Sequence, residues 1–494
     1  MTPRSRSLSE LGLTPRGGGD PAVTGLALDS RKVPRGGLFA ALPGTRVHGG
    51  EFVADALRTG AGAVLTDRAG AAIAADALAA SDAALVVVED ARAALAHAAA
   101  LWFGAQPGRV VGVTGTNGKT SVASFTRQIW AALGHAAVNL GTTGVEGAFA
   151  APGLHTTPEP LTLHRVLSEM AAEGVSHVAM EASSHGLDQR RMEAVGLCAA
   201  GFTNLSQDHL DYHGDMETYF HAKLRLFTEL LPQDGVAVVN LDDAHGARVA
   251  EACAAREIEV LGVGHHAEDA ALKITGRRLD ETGQDILFCW QGQRLQTRLE
   301  LIGGFQAMNV LTAAGLAIAA GDAPEAVFAA LPRLTGVRGR MQLAGRRRNG
   351  APVYVVYAHT PDALESALRA LRPHVLGRLV VVFGAGGDRD RGKRPLMGRA
   401  AAAQADVLIV TDDNPRSEDP AAIRAGILQG CRDATEVGDR AEAILRGVDA
   451  LDPGDALLIA GKGHETGQTV GDVVYPFDDV EQASVAVAAL EGRA

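Results

Sequence analysis

The sequence predicts an α/β protein composed of three domains. Its 494 residues suffice for about three domains of ordinary size. Short runs rich in Val, Ile and Leu, typical of buried parallel strands, alternate with longer stretches that have helical spacing. Most of these runs end in glycine-rich or charged residues, the position of ligand-binding loops in parallel sheets. We expect an N-terminal α/β domain over residues 1–90, a central parallel-sheet domain over 91–335 and a C-terminal Rossmann-like domain over 336–494.

Composition argues against several classes of protein. The net charge of −12 disfavours nucleic-acid binding, which usually requires a basic face. The N-terminal residues lack the apolar core of a signal peptide, and Asp76 and Asp82 interrupt the Ala-rich stretch over 69–88, so we expect no membrane segment. Widely spaced cysteines favour a reducing cytoplasm over a disulfide framework. They are Cys198, Cys253, Cys289 and Cys431.

In the N-terminal domain, Asp29-Ser30-Arg31 is the most informative polar stretch. Alone, it is typical of a solvated turn. The functional alternative is a pocket for a nucleotide diphosphate, in which the Ser30 hydroxyl and Arg31 face phosphate or uracil. A helix predicted over about residues 92–103 follows, and Gln106-Pro107-Gly108 separates it from the next strand.

The central domain begins with a strand over 110–113, a glycine loop and a helix from about Val122. This order predicts a phosphate cradle, because the loop N–H groups and the helix N-terminus both attract anions. In such a loop Lys119 pairs with the β- and γ-phosphates, and the Thr120 hydroxyl binds Mg²⁺. The strict P-loop pattern has glycine where this chain has Val113, so the loop is a variant. Its residues are Gly115, Thr116, Asn117, Gly118, Lys119 and Thr120.

Two more predicted strands, over 177–180 and 198–203, end in polar residues. Glu181 follows the first, and His209 lies in the polar segment after the second. Both are metal candidates, although Mg²⁺ prefers oxygen ligands, so Thr120 and Glu181 suit it better than His209. The sequence has no HExxH motif and no pair of cysteines at metal-ligand spacing, so zinc binding is not expected. Lys223 lies in a predicted helix, where a lysine is usually solvated.

In the C-terminal domain, strands predicted over 353–357, 379–383, 407–410 and 456–460 end in charged or glycine-rich loops. Thr360 is expected to cap the first helix, with Pro361 in its first turn. Arg389, Arg416 and Glu465 each follow a different strand. Arginine binds carboxylates with two parallel hydrogen bonds and glutamate suits an ammonium, so the set predicts a pocket for an amino acid with an extra carboxylate.

The ordered motifs resemble those of the Mur ligases over nearly the whole chain, and in particular those of the ligases that add 2,6-diaminopimelate. The matching segments are Asp29-Ser30-Arg31, Thr114 to Thr120, Thr156-Thr157-Pro158, Glu181 to His185, Asn204 to His213, Lys223, Tyr357 to Pro361, Gly386 to Asp390, Asp413 to Arg416, and Gly461 to Glu465.

The resemblance implies an N-terminal uridine-nucleotide domain, a P-loop-type ATPase domain and a C-terminal amino-acid domain. The implied contacts to UDP-N-acetylmuramoyl-L-alanyl-D-glutamate are Ser30, Thr156, Thr157, Ser183, Gln189 and Arg191. The implied contacts to ATP are the cradle residues together with Asn309 and Arg340. The implied meso-diaminopimelate contacts are Arg389, Asp413, Asn414, Arg416, Gly461 and Glu465. Glu181 and His209 would serve Mg²⁺, and Lys223 would carry a carbamate that helps to organise a second Mg²⁺.

The activity implied by the resemblance is ATP-dependent amide ligation in peptidoglycan precursor synthesis, by a cytoplasmic monomer. The D-glutamate carboxylate would attack the γ-phosphate, and the incoming amine would then displace phosphate from the acyl phosphate. One departure is Val356, where the family usually has an aspartate that reaches the ATP ribose. Alternatives are a ligase that adds L-lysine, a folylpolyglutamate-type ligase, a nucleotide-dependent binding switch and a scaffold. Arg416 argues against lysine, which has no distal carboxylate.

Overall fold

The computed structural model describes residues 5–44, 46–151 and 155–492. The chain forms two compact units, one of residues 1–270 with 312–327 and one of 271–311 with 328–494. Parallel sheets alternate with helices in both units, which confirms the predicted α/β class. The domain boundaries near residues 90 and 335 stay predictions.

The strands of the N-terminal part are β1 (Arg6–Ser7), β2 (Ala22–Val23), β3 (Leu26–Ala27), β4 (Leu38–Ala41), β5 (Ala63–Thr66) and β6 (Ala84–Val87). β1 and β2 form an antiparallel pair, and the other four form a small parallel sheet in the order β3-β4-β5-β6. Its helices are α1 (Val53–Thr59), α2 (Arg68–Ile73), α3 (Ala75–Ala79) and α4 (Ala91–Phe103). Apolar side chains cover both faces of this sheet, so its two central strands, β4 and β5, are fully buried.

The central part has seven further strands: β7 (Arg109–Thr114), β8 (Ala137–Gly141), β9 (Gly144–Gly147), β10 (His177–Glu181), β11 (Leu197–Phe202), β12 (Val236–Asn240) and β13 (Glu259–Gly264). Its helices are α5 (Lys119–Ala132), α6 (Pro160–Ala172), α7 (Ser184–Asp188), α8 (Leu210–His213), α9 (Met216–Arg225) and α10 (Ala244–Ala254), and a π-helical turn, Leu226–Leu230, follows α9. The strand order is β13-β12-β11-β7-β10-β8-β9, and all strands except β9 are parallel. The carboxyl ends of β7, β10 and β11 therefore lie side by side.

An antiparallel meander comes next, with β14 (Leu272–Asp280), β15 (Gly283–Trp290) and β16 (Gln293–Leu299). The helices α11 (Gln306–Ala319) and α12 (Pro324–Ala330) follow it. One helix start was predicted too late: α5 begins at Lys119 rather than Val122. Polar residues at this start resemble loop residues, but the first turn of a helix accommodates them well.

The strands of the C-terminal part are β17 (Arg340–Arg346), β18 (Pro352–Val356), β19 (Leu379–Phe383), β20 (Val407–Val410), β21 (Thr435–Glu436) and β22 (Ala456–Ala460), followed by the hairpin β23 (Gly467–Val470) and β24 (Val473–Pro476). The first six form one sheet in the order β17-β18-β22-β19-β20-β21, in which only β17 is antiparallel. Its helices are α13 (Pro361–Leu371), α14 (Lys393–Gln404), α15 (Pro420–Leu428), α16 (Arg440–Asp449) and α17 (Asp479–Leu490).

Side chains of this sheet alternate between two separate hydrophobic cores. Tyr354 and Val356 pack in one core, and Val353 and Val355 pack in the other. A strand buried on both faces explains the unbroken apolar runs. The predicted Thr360 cap is confirmed, since its hydroxyl accepts a hydrogen bond from the Ala363 N–H.

All four cysteines are free thiols. None of the helices within the described ranges combines the length and apolar character needed to span a bilayer.

Candidate nucleotide and amino-acid sites

The predicted phosphate cradle lies between β7 and α5. Gly115 has φ +145° and Gly118 has φ +91°, conformations that side chains other than glycine rarely adopt. A Cβ atom on Gly115 would also collide with the hydroxyl of Thr203, at the end of the neighbouring strand β11. Gly118 is the N-cap of α5, so Lys119 and Thr120 form its first turn. The loop therefore presents backbone N–H groups and a helix N-terminus at the carboxyl edge of the sheet, as an anion site requires.

Two lysines converge on one carbonyl of the cradle. Lys119 Nζ donates to Gly115 O at 2.9 Å, and Lys223 Nζ donates to the same oxygen at 2.8 Å. Lys223 is 1 % exposed and its amine lies 4.4 Å from the centre of the Tyr219 ring. Burial, and then the charge of Lys119, lower the pKa of Lys223 well below its ordinary value. Lys223 is thus not the solvated helix lysine expected from the local sequence, but a buried amine held next to the predicted phosphate cradle.

Glu181, at the end of β10, is buried beside the first turn of α5. Thr120 Oγ1 donates to its carboxylate at 3.0 Å, and the backbone N–H of Thr142 donates at 2.7 Å. Gly141 leaves the space that this carboxylate occupies, because a Cβ there would overlap it. A buried hydroxyl and a buried carboxylate in contact form an all-oxygen donor set, which suits Mg²⁺. The residues present therefore fit the predicted magnesium site.

His209 is half-exposed and has a left-handed backbone conformation, with φ +53°. Its imidazole lies 3.5 Å from the Asp208 carboxylate, and its ring centre is 4.8 Å from that of His185 and 6.2 Å from that of Tyr219. Since Tyr219 also contacts Lys223, the two metal candidates His209 and Lys223 share an aromatic neighbour.

Five of the six predicted precursor contacts form one hydrogen-bonded network. Thr157 Oγ1 donates to the Glu181 carbonyl oxygen at 2.9 Å and accepts from the backbone N–H of Ser183 at 3.0 Å. Arg191 donates to the Thr157 carbonyl oxygen and to the Gln189 amide oxygen, each at 2.7 Å. Thr156 joins the network through Thr142, with 3.0 Å between their hydroxyl oxygens. The loop before α6 and the residues on both sides of α7 thus form a polar network attached to the Glu181 site.

Ser30, the sixth predicted precursor contact, lies in a 3₁₀ turn of the N-terminal part and is buried, with 8 % exposure. The neighbouring Arg31 is largely exposed and pairs with Asp29 at 2.9 Å. The hydrogen bonds from Arg31 lower the pKa of the Asp29 carboxyl to about 2. The structure records no contact between Arg31 and the network above within the described residues, so a phosphate-facing Arg31 stays a prediction.

The C-terminal unit brings its predicted amino-acid contacts to the carboxyl edge of its own sheet. Arg416 has φ +52°, its N–H donates to Thr469 O at 3.0 Å, and its carbonyl accepts from Gly471 N at 2.7 Å. Its guanidinium donates to Gly387 O at 2.7 Å. The hairpin of β23 and β24 therefore fixes the backbone of Arg416, while the loop after β19 fixes its side chain.

Arg389 lies in the same loop and is exposed; its guanidinium donates to Asp388 O at 3.1 Å. A Cβ on Gly386 would be 2.8 Å from the Arg416 guanidinium and 3.9 Å from Cγ of Arg389, so both arginines flank this glycine. Burial, and the nearby Asp413, raise the pKa of Glu465, which accepts from the Asn414 side-chain amide at 3.0 Å. Cations and carboxylates are thus held close together by the loops that follow β19, β20 and β22.

Buried Lys462 connects these groups. Its amine donates to Asn414 Oδ1 at 2.8 Å and to Gly467 O at 2.7 Å, and lies 3.7 Å from the Asp413 carboxylate. Gly461, with φ +124°, lies against that carboxylate. Of the two remaining nucleotide candidates, Arg340 lies 5.4 Å from the Tyr357 ring centre, and Asn309 donates to Gln306 at 3.0 Å within α11.

Three residues at these sites were not identified from the sequence. Thr142 lies between glycines in a segment that resembles an ordinary loop, Tyr219 resembles a core aromatic, and Lys462 is the lysine of Gly461-Lys462-Gly463. Only Lys462 offers a local signal, because a lysine between two glycines at a strand end is well placed to bind nearby oxygens.

Three family descriptions match the chain in order. They are "Mur ligase family, catalytic domain" over residues 22–103, "Mur ligase middle domain" over 113–317 and "Mur ligase, glutamate ligase domain" over 339–463. Together the three matches include the cradle, the Glu181 and Lys223 positions, and the Arg389 and Arg416 loops.

Curated relatives match nearly end to end. The chain is 51% identical over 471 residues to the UDP-N-acetylmuramoyl-L-alanyl-D-glutamate–2,6-diaminopimelate ligase of Bradyrhizobium diazoefficiens, covering 94% of this chain and 95% of that protein. It is 50% identical to the Caulobacter vibrioides ligase of the same name, with 96% of each chain covered. A solved structure of a ligase with this name superposes with a TM-score of 0.72 at 34% identity, covering 99% of both chains.

Proposed function

The chain belongs to the Mur ligase family, and on that premise we propose that it joins UDP-N-acetylmuramoyl-L-alanyl-D-glutamate to meso-2,6-diaminopimelate. ATP would drive formation of the amide bond, and the products would be the tripeptide precursor, ADP and phosphate. The reaction would take place in the cytoplasm during peptidoglycan precursor synthesis.

The observation that carries this proposal is the presence of two complementary polar sets in one chain. The first joins a phosphate cradle to the buried Glu181 carboxylate and the adjoining Thr157 network. The second holds Arg389 and Arg416 beside Glu465 and Asp413, the charges needed by an amino acid with a second carboxylate. A nucleotide hydrolase does not require the set around Arg389 and Arg416. An amino-acid binding protein does not require the phosphate cradle and the Glu181 site.

In the proposed reaction, the residues of the first set bring two anions together. The precursor carboxylate attacks the γ-phosphorus and ADP leaves, so the barrier arises mainly from charge repulsion and positioning. Lys119 and the loop N–H groups neutralise the phosphate oxygens, while Thr157, Ser183 and Arg191 hold the peptide portion of the precursor. Thr120 and Glu181 would hold Mg²⁺, which when bound adds further neutralisation of phosphate charge.

In the second half of the reaction, the residues of the second set hold the incoming amino acid. Its neutral amine attacks the acyl carbon, the bond to phosphate breaks, and the amine loses a proton as the amide forms. Arg416 and Arg389 would bind carboxylates, and Glu465 would bind an ammonium.

The test is a ligation assay with the UDP-linked dipeptide, ATP and a panel of amino acids. We expect phosphate release only when precursor and diaminopimelate are both present, with formation of the tripeptide precursor. Phosphate release that is independent of both would indicate a nucleotide switch, and equal use of L-lysine would indicate the lysine-adding alternative.

We also expect Lys223 to carry a carbamate. Carbamate formation requires a neutral amine, and burial next to Lys119 favours the neutral form of Lys223. Carbon-13 NMR of protein equilibrated with labelled bicarbonate should show one carbamate signal that is absent from Lys223→Ala. The Lys273→Ala variant, which changes a partly exposed lysine on β14, should retain the signal. The absence of a carbamate signal from the wild-type protein would contradict the modification.

Val356→Asp should lower the KM for ATP if the ribose otherwise lacks a charged partner. A hydrogen bond to a charged group is worth about 1.5–3 kcal/mol, roughly a tenfold to hundredfold change. The same substitution should lower Tm, because Val356 is 7 % exposed and packs in a hydrophobic core. Steady-state kinetics and thermal unfolding separate the two effects, with Val356→Asn as the uncharged control. An unchanged KM would mean that another group already binds the ribose.

A further inference from the structure

A cluster of metal-ligating side chains lies at the edge of the central sheet opposite the cradle. His177 is the first residue of β10 and is in register with Arg109, the first residue of β7, whose other end leads into the cradle. His135 follows α5, and Asp322 follows α11. One ligand atom from each of these three side chains lies within 4.8 Å of the other two. Nothing in the proposed ligation uses this cluster.

Hydrogen bonding leaves one ring nitrogen of His177 available as a ligand. The Ser176 hydroxyl oxygen lies 2.8 Å from Nδ1 of His177 and 3.3 Å from Ala136 O. When this hydroxyl donates to Ala136 O, its oxygen accepts from Nδ1–H of His177. This tautomer leaves the lone pair on Nε2. Metal-binding histidines are commonly held in this way, with the other ring nitrogen donating to an oxygen.

The carboxylate of Asp322 also has an unused ligand atom. Its Oδ1 lies 2.8 Å from Nε2 of His135, whereas its buried Oδ2 has no hydrogen-bond partner among the described residues. A buried carboxylate oxygen without a partner is costly, and a bound cation would satisfy it. The rings of His135 and His177 have centroids 4.1 Å apart, so both imidazoles lie beside the carboxylate.

We propose that His135, His177 and Asp322 bind one zinc-class divalent cation. Two imidazoles and a carboxylate are a typical ligand set for zinc, and water would complete the tetrahedron. Bonds of this kind place ligand atoms roughly 3.3 Å apart, so the cluster closes around the ion by small side-chain movements. The ion would replace the proton shared by His135 and Asp322. It would connect the C-terminal end of α5 to the start of β10 and to the segment after α11.

The surroundings favour zinc over Mg²⁺. Magnesium prefers oxygen ligands, whereas imidazole suits zinc, copper and nickel. The Arg109 guanidinium also faces the cluster: its charge contributes to lowering the pKa of His177, and it lies 3.9 Å from the position of a Cβ on Gly321. This positive charge weakens the binding of any divalent cation, so the affinity must come from the imidazole and carboxylate ligands.

The experiment uses the untagged full chain, freed of metal by chelation and then kept in excess Mg²⁺. Calorimetric titration with Zn²⁺ should show one site per chain, and Tm should rise with zinc. Co²⁺ should give the visible absorption of a tetrahedral site and should quench Trp130, whose ring lies 5.0 Å from that of His177. Asp322→Asn and His177→Gln should each weaken zinc binding by at least about tenfold.

The control is the double variant His265→Gln/His266→Gln, which removes an exposed histidine pair in the turn after β13. It should bind zinc as the wild type does. Circular dichroism in chelator checks folding, and His135→Gln replaces His177→Gln if the latter fails to fold. The proposal is overturned if the wild type binds no zinc, if the cluster variants bind it unchanged, or if only the control loses binding.

Discussion

Lys119→Ala is expected to reduce ligation by roughly 1,000-fold or more while the protein remains folded. Lys119 is the first residue of α5 and extends over the loop, where its amine donates to Gly115 O and Thr116 O at 2.9 Å each. In the proposed reaction this amine moves to the phosphate oxygens, where charge accumulates in the transition state. Losing a cation at that position typically costs three or more decades in phosphoryl transfer.

The measurements are turnover with saturating substrates, ATP affinity by calorimetry, and far-UV circular dichroism. Lys119→Arg retains the charge and should retain part of the activity, whereas Lys273→Ala, on a strand of the meander, should behave as the wild type. Near-normal turnover of a folded Lys119→Ala protein would contradict the assignment of this loop as the phosphate-binding site.

Local patterns were sufficient for most of the secondary structure. The strands predicted over 379–383, 407–410 and 456–460 have the predicted bounds, because a strand buried on both faces is an unbroken apolar run between polar loops. The start of α5 was predicted too late. Thr120 and Ser121 resemble loop residues, yet their polar groups suit the first turn of a helix that faces an anion.

Burial at the sites was less predictable, because it depends on residues distant in sequence. Lys223 lies on α9 and is buried because its amine reaches the Gly115 carbonyl, more than a hundred residues earlier. Glu181 was identified from its position at the end of a strand. Its partner Thr142 was not, because no local sequence pattern connects the two residues. The same applies to His135, His177 and Asp322, which form no local motif and meet only in the folded chain.

Substrate choice should depend on Arg416: the wild type should use meso-diaminopimelate and reject L-lysine. The two amino acids differ by one carboxylate on the distal carbon, which needs a fixed cationic partner. The backbone of Arg416 is fixed by Thr469 and Gly471, and its guanidinium by Gly387 O, so it is already oriented before the amino acid arrives. With lysine bound, that guanidinium would lack its carboxylate and would lie near the lysine ammonium.

Arg416→Ala should therefore lose activity with diaminopimelate. The ratio of kcat/KM for diaminopimelate to kcat/KM for L-lysine should fall. An uncompensated member of a buried ion pair costs about 3–5 kcal/mol; because Arg416 is partly exposed, we expect the lower end, roughly a hundredfold in kcat/KM. The measurement is kcat/KM for both amino acids with each variant. Arg416→Lys retains the charge but loses the planar fork, so its kcat/KM for diaminopimelate should lie between those of the wild type and Arg416→Ala. The matched control is Arg432→Ala, which changes an exposed arginine after α15. If Arg416→Ala keeps its full preference for diaminopimelate, another cation must bind the distal carboxylate. Arg389 would then be substituted next, because it flanks the same glycine, Gly386.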